Sequence, residues 1–233
     1  MQAQIETSTD SRPAFLWRDT LGTLPAVEYY SAGSSLRPKI EHYITQIFHQ
    51  THGAVISEYQ PMLFSLERDG EPLAALGLRK ACNDRLFSEI YLDGPIERYI
   101  SELYRQPCSR ADIIEFGNLV ASEPRQSAQL YLLIVAAMLQ AGIRYIVFTA
   151  NRLVRASIKR CGFTPLTIAG AEQSRLGDKA KCWGSYYSGT PVVMVADTQL
   201  TIAQAHAQPA MYQRLGYYHQ TIDELASIIR GDS

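Results

Sequence analysis

A glutamate stands inside an otherwise apolar run, Ile113-Ile-Glu115-Phe-Gly117-Asn118-Leu-Val-Ala121. The run reads as a β-strand, in which Glu115, Gly117 and Leu119 alternate onto one face and Asn118 onto the other. A carboxylate placed among apolar side chains needs a partner or a task. One reading is a general base or ammonium-binding group tuned by burial; the other is a carboxylate paired with an arginine, and both stay open at this point. Gly117 weakens a strand unless a bulge or a ligand lies against the backbone. The loop Ser122-Glu-Pro-Arg125-Gln-Ser127-Ala128 then leads into a helix N-terminus, so strand, loop and helix dipole together make an anion cradle.

Two other groupings carry charge or ligating atoms. In the run Asn151 to Cys161, Arg152, Arg155 and Lys159 share a helix face opposite Val154, Ile158 and Cys161. This is either a solvated face or an outer clamp for a phosphate-bearing carrier. His42, His49 and His52 lie along one helix without a carboxylate-rich third ligand site, so no metal is expected. GxSxG, HExxH, P-loop, GxGxxG and EF-hand patterns are absent, which removes most of the case for hydrolase, NTPase and nicotinamide chemistry.

These residues need elements to position them. Ser34 or Ser35 can cap a helix to about Gln50, with Leu36, Ile40, Tyr43, Ile44 and Ile47 at helical spacing. Met62 to Glu67, the turn Arg68-Asp69-Gly70-Glu71, and Leu73 to Lys80 read as an antiparallel hairpin. Leu86 to Leu92 reads as a short strand, and Pro95 opens a helix to about Arg105. From Asp112 onward the pattern is strand to Ala121, helix Gln126 to Gln140, strand Tyr145 to Ala150, helix Asn151 to Cys161 and strand Phe163 to Ile168, a β-α-β-α-β alternation that suggests parallel strands. Trp183 to Tyr187 and Val192 to Ala196 close the sheet. Thr221-Ile-Asp-Glu224 is a capping box expected to start a last helix.

Composition bounds the function. The chain has 233 residues, 46% hydrophobic, and 22 basic against 23 acidic side chains. That length suits one α/β domain with a helical extension, and the near-neutral charge argues against a nucleic-acid partner. Of the 22 basic residues 17 are arginine, which favours local, planar contacts to carboxylate or phosphate. The apolar stretch Leu130 to Leu139 falls far short of the roughly 18 residues of a membrane span. The polar, acid-containing N-terminus and four cysteines without a CxxC pair point to a cytoplasmic protein with reduced thiols, Cys161 and Cys182 among the core residues.

The order of strand, loop, helix, strand and Asn151-led helix ending in Gly162-Phe163 resembles the core of GNAT-type N-acyltransferases over about residues 54 to 197. More closely, LFSEIYLDGPIE, IIEFGNLVASEP and IVFTANRLVRASIKRCGF resemble the thermostable hemolysins, from about Ser31 to Val195. Those proteins are similar in turn to acyl-homoserine-lactone synthases, whose central-strand Glu and hairpin Arg fall at Glu115 and Arg79. Arg125-Gln-Ser-Ala128 keeps the Arg of the GNAT phosphate loop and replaces its glycines, and Ile158 stands where GNAT enzymes often place a Tyr.

The resemblance implies a GNAT-like mixed twisted sheet flanked by helices: a polar tail over 1–20, an acyltransferase domain over 21–198 and a helical C-terminal extension over 199–233. It implies transfer of an acyl group, a fatty one, from acyl-CoA or acyl carrier protein as co-substrate to the amine of a small molecule such as an amino acid, with no permanently bound cofactor. Glu115 would take a proton or hold the ammonium, and Asn118 would shape the acceptor site. Backbone N–H groups of Leu119, Val120 and Ala121 would polarise the donor carbonyl, while Arg125, Gln126, Ser127, Ala128 and Asn151 face the donor. Arg79 and Glu89 would read an acceptor carboxylate and amine, or form a structural ion pair; Trp183, Tyr186 and Tyr187 would line an acyl tunnel, or pack as core. The rival readings are a membrane-active cytolysin and a non-catalytic GNAT-fold binding protein, and nothing in the sequence sets an oligomeric state.

Overall fold

The Asp69-Gly70 turn closes the hairpin of strands β2 (Met62–Arg68) and β3 (Glu71–Lys80), with both turn residues in the left-handed region that the tight reversal demands. In this computed structural model, which describes residues 24–232, the hairpin is the middle of one arm of a seven-stranded sheet. The tail expected over 1–20 lies outside the described residues. The remaining strands are β1 (Ala26–Tyr30), β4 (Ile113–Ala121), β5 (Tyr145–Ala150), β6 (Leu166–Gly170) and β7 (Val192–Asp197), in the order β1-β2-β3-β4-β5-β7-β6. Only β4 and β5 pair in parallel among the described strands. β6 runs in the same sense as β5, as the alternation implied, but β7 inserts between them.

Helix α3 (Pro124–Gln140) is apolar all round because it is covered all round. Leu130 to Met138 are all buried, between the sheet on one side and helices α5 (Thr198–His206) and α7 (His219–Arg230) on the other. The C-terminal residues therefore share the main core: Ile202, Leu215, Ile222 and Ile229 belong to one cluster with Phe64, Leu76 and Phe148. On the opposite face, α1 (Arg37–His52) packs Ile40 and Ile44 against Leu63, Ala75 and Val120. Helix α2 (Ile96–Tyr104) packs Ile96 and Ile100 beside Ile113, Val147 and Val193. Helices α4 (Arg152–Arg160) and α6 (Pro209–Tyr217) complete the α-helices among the described residues. This is the GNAT-like mixed sheet with C-terminal helices that the resemblance implied.

Several local expectations give way to tertiary contacts. Leu86 to Leu92 is not a strand but a 3-10 turn at Phe87–Tyr91, closed by Glu89 Oε2, which accepts from Leu86 N at 2.8 Å. Trp183 to Tyr187 forms parts of two 3-10 turns because Gly184, at φ +50, presses onto the end of α1, and Ser185 N donates to His52 O at 2.8 Å. The last helix begins at His219, before Thr221, as Ile222 N already closes on Tyr218 O, whose ring is fixed by hydrogen bonds with Gln129 and Pro25. Helix α1 starts after Leu36 without a serine cap on its first residue, and β1 was not foreseen. Cys161 is buried as expected, whereas Cys182 is exposed on its turn.

Candidate active site

The parallel register of β4 and β5 ends at Phe116 opposite Phe148. Beyond it β4 continues with β3, Val120 and Ala121 lying opposite Ala75 and Ala74, while Thr149 and Ala150 of β5 continue with β7. The two central strands therefore part, and the backbone facing the gap has no strand to bond. A β-bulge sharpens the divergence. Between the pairs Gly77–Gly117 and Ala75–Val120, β4 uses two residues where β3 uses one, and Asn118 takes φ +50. The bulge breaks the alternation the sequence suggests: Asn118 Oδ1 accepts from Gln60 N at 2.8 Å and its Nδ2 donates to Glu58 O at 3.3 Å. Asn118 thus holds the segment that also touches Glu115, rather than lying on the opposite face.

A cavity of about 490 Å³ fills the gap and takes walls from both faces of the sheet. Phe116, Tyr131, Phe148, Ile158, Cys161 and Phe163 line it on the α3 and α4 side. Glu115, Gln60, Phe87, Tyr91, Trp183, Tyr186 and Tyr187 line it on the other.

Glu115 is buried and accepts four hydrogen bonds. Ser88 N at 2.7 Å and the Ser88 hydroxyl donate to Oε1; Phe87 N at 2.8 Å and Gln60 Nε2 at 3.3 Å donate to Oε2. The first turn of the segment expected to be a strand is thus a donor cradle for this carboxylate, and no arginine is among these donors. A carboxylate has about four lone-pair positions, so these four donors saturate Glu115 and fix it in place. Gln60, which the sequence reading passed over, links it to Arg79: Arg79 Nε donates to Gln60 Oε1 at 2.8 Å, and Arg79 also donates to Arg85 O at 3.2 Å. The Gln60 side chain lies on a glycine pair. A Cβ at Gly117 would come 2.5 Å from Gln60 Nε2, and one at Gly77 would come 2.6 Å from Gln60 Cβ. Arg37 fixes the backbone there, donating to Gln60 O at 2.8 Å and Pro61 O at 2.9 Å. A second strand glycine directly opposite Gly117 was the available signal for this seat.

Glu89 does not pair with Arg79 and does not line the cavity. It turns to Arg110, which donates to Oε1 at 2.7 Å and Oε2 at 3.1 Å, and it accepts from Ile96 N at 3.1 Å. Burial pushes its carboxyl up, but Arg110 and the two backbone donors outweigh burial and leave it below its ordinary value.

Of the residues expected to face the donor, Leu119, Val120, Ala121, Ser127, Ala128 and Asn151 line the cavity. Gln126 folds back, its Oε1 accepting from Glu123 N at 3.0 Å to close the first turn of α3, and Ser127 Oγ donates to Pro124 O at 2.9 Å. Arg125, half-buried in that same first turn, is not among the lining residues. Asn151 caps α4, accepting from Leu153 N at 3.0 Å and Val154 N at 3.1 Å. On the same helix Arg155 reaches back to Thr190 O at 3.2 Å.

Trp183 and Tyr186, with centroids 5.3 Å apart, join Phe87, Tyr91, Tyr187 and the half-buried His52 in one aromatic wall. The hydroxyls of Tyr91 and Tyr187 bond each other, and Tyr186 donates to Thr149 O at 3.2 Å. Burial raises the pKa of all three phenols, so they remain protonated across ordinary pH. Burial lowers that of His52, which favours its neutral ring. Among the described residues no group of three or more His, Cys, Asp or Glu side chains could hold a metal ion, and no helix is long and apolar enough to cross a membrane.

A family model described as thermostable hemolysin matches residues 30–202. No curated protein matches the chain by sequence. Among solved structures the chain is similar to TofI in an apo form, with 14% identity, 80% of this chain and 99% of that chain covered, and a TM-score of 0.55. It is similar to the AHL synthase LasI, with 12% identity, 78% and 95% coverage and a TM-score of 0.55. A further match is FeeM, an N-acyl amino acid synthase from uncultured soil microbes, with 12% identity, 77% and 94% coverage and a TM-score of 0.52. At these identities the likeness is one of fold.

Proposed function

The chain belongs to the thermostable hemolysin family, and on that premise and its parted central strands we propose that it is an N-acyltransferase. It moves an acyl group, a fatty one, from acyl-CoA or acyl carrier protein to the amine of a small molecule. The observation that carries the reading is the cavity through the β4–β5 gap, which lets a donor arm and an acceptor approach one another from opposite faces of the sheet.

The roles follow from direction and charge. Ser122 N donates to Leu73 O of the hairpin, so by strand alternation the N–H of Ala121 turns away from β3 into the gap, and that of Val120 turns toward β3. The Ala121 N–H then polarises the thioester carbonyl and binds the oxyanion that forms on it, with Leu119 of the bulge beside it. The first turn of α3 receives a donor phosphate at its N–H groups, with Arg125 beside it. Glu115 draws the acceptor ammonium to the gap. Its lone pairs being taken, the ammonium proton passes to water rather than onto the carboxylate. The free amine attacks the carbonyl carbon; the N–C bond forms, the C–S bond breaks, the nitrogen gives up its second proton to water, and the thiolate leaves with a proton from solvent or from a cavity phenol that water then reprotonates.

The test is mass spectrometry of the protein incubated with fatty acyl-CoA or acyl carrier protein donors and a pool of primary amines, amino acids included. An N-acyl product that requires protein, donor and amine together is expected. No product with either class of donor refutes the proposal.

A further inference from the structure

The half of the cavity beside Glu115 is built of aromatic side chains and one carboxylate. Phe87, Tyr91, Trp183, Tyr186 and Tyr187 surround it, with successive ring centroids 5.3 to 6.1 Å apart. Such walls take the apolar body of a ligand, and a ring that turns its face to an ammonium attracts it. Glu115 attracts the same ammonium. At the gap Thr149 Oγ1 is buried without a hydrogen-bond partner, on the face it shares with Val147 and Glu115, and so offers a hydroxyl to a polar group of the ligand.

An α-amino acid would need its carboxylate met by a cation near the point where its ammonium meets Glu115. Arg79 is the cation the sequence offers, and Gln60 stands in the way. Its amide oxygen accepts from Arg79, taking the contact an amino acid's carboxylate would make, while its amide NH₂ donates to Glu115, its backbone is held by Arg37 and Asn118 and its side chain is seated on Gly77 and Gly117. From this arrangement we infer that the acceptor is a hydrophobic primary amine without a carboxylate, an arylalkylamine in the first instance, and that Gln60 is the residue that excludes amino acids. The inference rests on the acyltransfer reading for the fate of the amine, but not for its recognition. An acceptor carboxylate would face the Glu115 carboxylate while Arg79 is engaged by Gln60, so the site rejects it by repulsion.

The experiment has two arms. In the first, phenethylamine and tyramine are titrated against phenylalanine and tyrosine by calorimetry on the full chain without donor. The amines are expected to bind at least about tenfold more tightly, equivalent to about 1.4 kcal/mol. Equal or tighter binding of the amino acids, or no binding of either class, overturns the proposal. In the second arm the same four compounds are offered with fatty acyl-CoA and acyl carrier protein donors. Amines that bind but yield no N-acyl product count against acyl transfer and leave the recognition intact; N-acyl amino acids in preference to N-acyl amines do the reverse. Gln60→Ala is expected to shift the ratio of kcat/KM for tyramine over tyrosine toward tyrosine by at least about tenfold, which a merely structural residue would leave unmoved.

Discussion

Removing the Glu115 carboxylate tests the central geometry directly. In Glu115→Ala four donors lose their acceptor: Phe87 N, Ser88 N, the Ser88 hydroxyl and Gln60 Nε2. The hydroxyl can rotate, and Gln60 keeps its bond from Arg79, so these two losses are partly recovered. The two backbone N–H groups cannot turn away, because the 3-10 turn is fixed by Glu89 and by the burial of Leu86 and Tyr91. Hydrogen bonds to a charged group are worth about 1.5–3 kcal/mol each, so the two together set a loss of about 3–6 kcal/mol. Against a total of about 5–15 kcal/mol for a folded domain that is a large share. Glu115→Gln keeps one acceptor oxygen but turns an NH₂ toward one of the N–H groups, and about half the loss is expected. Urea unfolding followed by circular dichroism reads both variants. With a slope of about 2–3 kcal/mol/M, Glu115→Ala should lower the midpoint by about 1–3 M. A loss under about 1 kcal/mol for Glu115→Ala would refute the donor cradle and, with it, the account of why the carboxylate is buried.

Three further outcomes follow from other contacts. Glu89 lies below its ordinary value of 4.5, so the stability it contributes with Arg110 is present above that value and is lost as pH falls through the lowered one; the stability difference between wild type and Glu89→Gln should therefore shrink between pH 6 and pH 3.5, and parallel urea midpoints across that range would contradict the pairing. Gly184→Ala places a Cβ 2.0 Å from His52 O at a φ of +50, which should cost about 3 kcal/mol by strain and overpacking and release the turn carrying Trp183, seen as a shift in tryptophan emission; unchanged emission and midpoint would refute it. Asn151→Ala removes the acceptor for Leu153 N and Val154 N and should cost about 1 kcal/mol, with Asn151→Ser restoring most of it in the same urea assay.

The sequence by itself determined the elements whose signals are local. The Asp-Gly hairpin, the Asn-capped α4, the apolar α3 and β5 at Tyr145–Ala150 were legible because turn chemistry, capping and periodicity act within a few residues. The glutamate in β4 was legible as an anomaly, since a charge among apolar neighbours is visible without knowing what surrounds it. What surrounds it was decided in three dimensions. Its donors come from 27, 28 and 55 residues away, and the same contacts turned Leu86 to Leu92 from an expected strand into a 3-10 turn. Glu89 paired with Arg110 instead of Arg79, Asn118 left its expected face through a bulge, and Gln60 gained its place only because Gly77 and Gly117 came opposite one another. Strand register and side-chain pairing depend on which distant segments meet, and an amino-acid pattern records the preference of each residue for burial but not the identity of its neighbour.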